Sequence, residues 1–136
     1  MQRSATVESL EASETFSVHR TDFAELRRQH PSIDRILVTS LVGEVRRLND
    51  RLMEAFFVPA EKRVLRRLVE LLLIYGSVEG DGTALPLTQE DLATFAGTSR
   101  ATVNHVLREE EKRGSVVLRR GRTVIFDLEA LEKRSH

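Results

Sequence analysis

Apolar and polar residues alternate along this chain in two rhythms, one helical and one strand-like. From about Ser32 to Phe57, the apolar positions Val38, Leu41, Val45, Leu48, Leu52 and Ala55 recur at steps of 3, 4, 3, 4 and 3 residues. That is the repeat of a heptad seam on a long helix. A second row, Leu37, Val42, Met53 and Phe56, widens the apolar face beyond what one partner helix would cover. Such a stripe fits a helix packed on its own domain or a helix-pair dimer seam, and the short stretch of chain before it favours the seam. Upstream, Thr15 to His19 alternates as a short half-buried strand does. Thr21 can cap a short helix that Pro31 would end. Pro59 breaks the long helix after Val58. A third helix runs from about Pro59 to Tyr75, with Val64, Leu65, Leu68, Leu71, Leu72 and Ile74 inside and Gly76 at its end. Ser77 to Ala84 is rich in glycine and acid, which predicts an exposed, mobile loop.

The stretch LTQEDLATFAGTSRATVNHVLREEEKRG, Leu87 to Gly114, contains two short helical patterns separated by Ala96-Gly97-Thr98. Thr88 can cap the first, with Asp91 completing an approximate capping box. Gly97 supplies the turn, and Thr98 or Ser99 caps a second helix through about Lys112. Val103, Val106 and Leu107 form its buried row, leaving Arg100, Ala101, Asn104, His105 and Arg108 outward. Short polar, cationic and small apolar side chains on one helical face suit entry into a groove about 12 Å wide and contact with base edges. Beyond Gly114, Val116 to Leu118 and Thr123 to Phe126 read as a β-hairpin whose tip carries Arg119, Arg120 and Arg122. Three cations at one tight turn repel one another unless an anion lies nearby. A helix-turn-helix followed by a basic hairpin is a winged DNA reader.

Composition narrows the chemistry. The 136 residues carry no net charge, so nucleic-acid affinity would have to come from local clustering. Thr98 to Arg122 supplies it, with seven Lys or Arg against three Glu. The absence of cysteine removes disulfides, thiolate zinc and iron–sulfur ligation. His19, His30, His105 and His136 have no ligand-like spacing, so no metal and no cofactor are expected. No nucleophile–base arrangement or carboxylate pair supports an enzyme. No run of about 18 apolar residues occurs and the N-terminus lacks a signal-peptide core, which predicts a cytoplasmic protein without a membrane partner.

Leu87 to Val117 resembles the helix-turn-helix of the Crp/Fnr bacterial transcription regulators. The threonine cap, the glycine turn and the Ser-Arg-x-Thr-Val opening of that family are met by Thr88, Gly97 and Ser99-Arg100-Ala101-Thr102-Val103. The seam from Val38 to Ala55 is similar to the family's dimerisation helix, with Phe57 to Ala60 at the hinge. Arg3 to Val7 resembles the tail of a cyclic-nucleotide phosphate cassette, and Glu11 to Phe23 the strand and short helix after it. The resemblance implies a mainly α fold with a small β component, a long dimerisation helix followed by a winged helix-turn-helix domain. Four segments follow from it: 1–31 as an effector-domain remnant, 32–57 as the dimer helix, 59–127 as the reader and 128–136 as a C-terminal tail. The β-roll that would precede Arg3 is not in this sequence, so cyclic-nucleotide binding by the chain is not expected.

Carried over residue by residue, the resemblance implies that Arg100 meets a guanine edge, with Ala101, Asn104 and His105 as further base contacts. Thr88, Ser99 and Thr102 match phosphate contacts, as do Arg120 and Arg122 on the wing. The implied partners are double-stranded DNA, a second copy of the chain and RNA polymerase. Ala101 stands where a glutamate is common and His105 where an arginine is common, so the half-site should differ from that of the cyclic-AMP receptor protein. Glu110 and Ser115 occupy usual leucine positions. Glu110 must therefore turn outward or find a cation such as Arg113, and the wing should be looser than usual. This departure keeps a second function open: a dimerisation module that forms mixed dimers with a full-length relative and binds no DNA productively.

Overall fold

The structure, a computed structural model, describes Val7, Ser9 and residues 12–136. It is mainly helical with one small antiparallel sheet, and it divides into two compact units, Met1–Val45 and Arg46–His136.

The first unit contains α1 (Arg20–Gln29) and the start of α2 (Ser32–Phe57). Thr15 to His19 forms no strand and is exposed throughout, contrary to its alternating pattern. A strand needs a neighbour to satisfy its backbone, and no described residue pairs with this segment. α1 begins two residues earlier than expected because the His19 imidazole, rather than Thr21, serves as the cap and accepts from the Thr21 amide. It stops before Pro31, as expected. Arg27 pairs with Asp34 at 2.5 Å across the turn into α2. α2 is one unbroken helix of 26 residues in which no residue is buried within the chain. Arg3 to Thr6, read as a cassette tail, lies outside the described residues, as does Glu11.

The second unit is built on α3 (Ala60–Tyr75), α4 (Gln89–Ala96) and α5 (Arg100–Lys112). The α3 row Val64, Leu65, Leu68, Leu71 and Leu72 is buried against Leu92, Ala93 and Ala96 of α4 and Val103, Val106 and Leu107 of α5. At about 1.5–3 kcal/mol per buried aliphatic side chain, this cluster dominates the unit's stability. Ile74, expected inside, is exposed with Leu73 on the opposite side of α3.

The segment predicted as a loop is instead the hairpin β1 (Ser77–Glu79) and β2 (Gly82–Leu85). β2 pairs with β4 (Arg122–Ile125), which pairs with β3 (Val116–Arg119), giving the order β1-β2-β4-β3. The glycines that suggested a loop have a different role. A Cβ on Gly82 would lie 2.8 Å from the Ile125 carbonyl oxygen, so glycine permits the close strand approach. Residues 128–136, read as a tail, contain α6 (Leu128–Ser135), whose Leu131 is fully buried in the same core. Asp127 caps it by accepting from the Ala130 amide.

Candidate nucleic-acid interface

Local chemistry fixes the two helices that carry the candidate site. Thr88 caps α4 through a complete capping box, its hydroxyl accepting from the Asp91 amide while Asp91 accepts from the Thr88 amide. Gly97 ends α4 in the left-handed region at φ 58°, which only glycine adopts without cost. α5 then starts three residues later, at Arg100. Of the two possible caps, Ser99 serves, accepting from the Thr102 amide at 3.1 Å and bonding the Thr102 hydroxyl. Three residues fixed in this way set the angle between the helices and leave Val103, Val106 and Leu107 inward.

The outward face of α5 carries Arg100, Ala101, Asn104, His105 and Arg108, all exposed. Arg100 has no hydrogen bond or ion pair to another described residue. Asn104 donates to Gln89 of α4 at 3.0 Å, so its amide is oriented before any ligand arrives. Arg108 pairs with Glu111. A cleft between the start of α4, the start of α5 and the wing gathers Thr88, Arg100, Asn104 and Arg122 around one opening. Ala101 and His105 lie further along the exposed face, Ser99 and Thr102 sit at the cap, and Arg120 stands at the wing tip; none of these five lines the cleft.

The wing arginines are not equivalent. Arg119 and Arg122 both donate to one Glu79 oxygen, at 2.7 and 3.1 Å, whereas Arg120 has no partner among the described residues. The anion that the clustered cations called for is thus supplied from β1. Glu79 was missed because the sequence reading placed it in a free loop.

Two further acidic side chains tie the reading helix to its surroundings. The Leu118 amide donates to Glu111 at 3.0 Å, joining α5 to β3. That bond, with the bond from Arg108, holds the Glu111 carboxyl below the ordinary glutamate range. Glu110 is only 1% exposed and receives Arg113 at 2.5 Å, as one branch of the expectation required. It also receives Arg134 of α6 through two nitrogens, and the same guanidinium reaches the Ser115 hydroxyl at 2.7 Å. The two departures from leucine therefore form one buried polar cluster with Arg134, and the reason given for a loose wing is removed. Glu110 is the buried charge of the cluster, and only loss of both Arg113 and Arg134 would leave it unpaired, at a cost of about 3–5 kcal/mol. Arg134 could not have been connected to Glu110 from sequence, because it lies in the segment read as a tail.

Comparison with known proteins agrees with this architecture. Residues 62–134 match the family described as the Crp-like helix-turn-helix domain. A CRP-like cAMP-activated global transcriptional regulator of Mycobacterium tuberculosis is 34% identical over 107 residues, covering 77% of this chain and 48% of that protein. The cyclic AMP receptor protein of Thermus thermophilus is 30% identical over 132 residues, covering 97% of this chain and 59% of that protein. The chain thus spans about half the length of these relatives, the first of which is named a transcriptional regulator. A solved CRP/FNR-family transcriptional regulator from Thermus thermophilus shares the fold with a TM-score of 0.71 at 23% identity, over 77% of this chain and 55% of that one. No described helix is long and apolar enough to cross a membrane. Since the matched region is more than half of the 136 residues, the chain belongs to the Crp-like helix-turn-helix family.

Proposed function

We propose that this chain is a sequence-specific DNA-binding transcription regulator that reads a pseudo-palindromic site as a homodimer. The observation that carries the reading is the state of Arg100: exposed at the first turn of a capped helix, unpaired, and beside Thr88 and Arg122 at one cleft. A guanidinium so presented can bond a guanine edge with two parallel N–H donors, while Thr88, Ser99, Thr102, Arg120 and Arg122 hold flanking phosphates. Ala101, Asn104 and His105 complete the base-reading face. The exposed α2 row from Val38 to Ala55 pairs with its copy and places two reading helices roughly 34 Å apart, one turn of duplex. Segments 32–57 and 59–127 act as dimer helix and reader, with α6 as part of the reader. RNA polymerase is the partner through which a bound dimer would change promoter output.

The mixed-dimer reading loses its main support, since Glu110 is paired and no longer argues for a damaged reader. Selection of duplexes from a random pool by the purified protein separates the two. The DNA-reading proposal expects enrichment of two inverted half-sites. In Arg100→Ala, preference at one base pair per half-site should fall by about 1–3 kcal/mol while the other positions keep theirs. A pool with no enriched sequence at low salt overturns the proposal in favour of the dimerisation module.

A further inference from the structure

Arg63, in the first turn of α3, makes a set of contacts that the reading face does not use. Its Nη1 donates to the Val58 carbonyl at 2.8 Å and to the Ala55 carbonyl at 3.4 Å, both at the C-terminal end of α2. Its Nε donates to the Ala96 carbonyl and its Nη2 to the Gly97 carbonyl, each at 3.1 Å, at the C-terminal end of α4. Helix C-termini leave carbonyls without intrahelical partners and carry partial negative charge. At the end of α4, the Gly97 and Thr98 amides already satisfy Ala93 and Thr94. Arg63 takes two carbonyls beyond these, Ala96 at the end of α4 and Gly97 at its cap. One planar fork thus joins the last turn of the long helix to the turn from which α5 starts, two residues before its Ser99 cap.

The joint is stiffened from a second side. Glu54, also in the last turn of α2, accepts from Arg66 at 2.9 Å and from Arg67 of α3. These ion pairs fix α2 to α3. Arg63 hydrogen-bonds both to the turn that aims the recognition helix. Lysine could not replace it, because an ammonium is a point donor without the fork geometry.

We infer that Arg63 is a positioning residue that sets the angle between dimer helix and recognition helix, and hence the half-site spacing the dimer accepts. The inference rests on the homodimeric DNA reading proposed above. Each added base pair of spacer moves a half-site by about 3.4 Å and rotates it by about a tenth of a turn. A stiff joint therefore accepts one spacing, whereas a loosened joint accepts several with similar affinity.

The test uses the purified chain and the half-site obtained by selection, presented as inverted repeats with spacers lengthened and shortened by one and two base pairs. Wild type should prefer one spacer over its neighbours by about tenfold, the order expected when DNA must twist to meet a rigid dimer. In Arg63→Met that preference should fall to about threefold or less, with base preferences inside each half-site unchanged. Arg63→Lys should lie between. Thermal unfolding of each variant is measured alongside. If either variant binds more weakly at every spacer by the same factor, Arg63 is structural only and the inference is overturned. If Arg63→Met does not fold, Arg63→Lys decides by the same criterion. Failure of wild type to bind any repeat would instead sink the DNA reading itself.

Discussion

α2 and α3 share an amphipathic pattern and have opposite fates. Leu68, in the middle of the α3 row, is 0% exposed, whereas Leu48, in the middle of the α2 row, is 55% exposed. The α3 row meets α4, α5 and α6 within the chain. The α2 row, Val38, Leu41, Val45, Leu48 and Leu52, remains more than half exposed throughout. An exposed apolar stripe of this length suits a contact with another molecule, and its 3–4 spacing suits a second helix of the same kind, as the dimer proposed above requires. The same local signal therefore goes with a buried core in one helix and an open face in the other, and only the neighbours distinguish them.

Three identical truncations would break or sharpen this contrast. Leu68→Ala should cost the most, about 2–5 kcal/mol of unfolding free energy, because it leaves a cavity that the surrounding helices cannot fill. Chemical denaturation at a protein concentration where wild type is monomeric measures it. Leu48→Ala should leave that monomer curve nearly unmoved but weaken self-association by about 1.5–3 kcal/mol for each leucine no longer buried, read by sedimentation across a dilution series. If Leu48→Ala destabilises the monomer as much as Leu68→Ala does, α2 covers its own domain and the contrast disappears. Leu73→Ala, on the open side of α3 at 73% exposure, should have the smallest effect, within about 0.5 kcal/mol in both measurements. A larger association effect at Leu73 than at Leu48 would move the proposed seam from α2 to α3.

The reader shows a related division between residues whose state is set locally and those set by distant contacts. The Thr88–Asp91 box, the Gly97 turn and the Ser99 cap were legible because each is made within four residues. The inward row of α5 and the exposure of Arg100 follow from the helical period alone. The wing hairpin was also legible, because short runs of β-branched residues flank a glycine-containing tip. By contrast, β1–β2 was read as a loop: its two strands are too short to show a period, and β2 is held in the sheet by β4, some forty residues away. Thr15 to His19 failed in the opposite direction, having the period but no partner strand. The clustered cations of the wing called for a nearby anion, but the sequence did not show which one. Glu79 holds two of the arginines, and Arg120 has no partner among the described residues; Glu79 is 40 residues from Arg119 and invisible to any short window.

By itself the sequence determined the spans of α2 to α5, the capping box of α4, the glycine turn after it and which face of each of these helices is apolar. These depend on interactions between residues three or four apart and on the backbone preferences of glycine and proline. Tertiary structure alone decided which apolar faces are satisfied inside the chain and which charges are neutralised. Arg134 on Glu110 and Ser115, Glu79 on the wing, and Arg63 across the ends of α2 and α4 are contacts between segments far apart in sequence. A charged side chain carries no record of its partner in its neighbours along the chain; the partner is chosen when packing of the apolar core fixes which helix ends and strand edges meet.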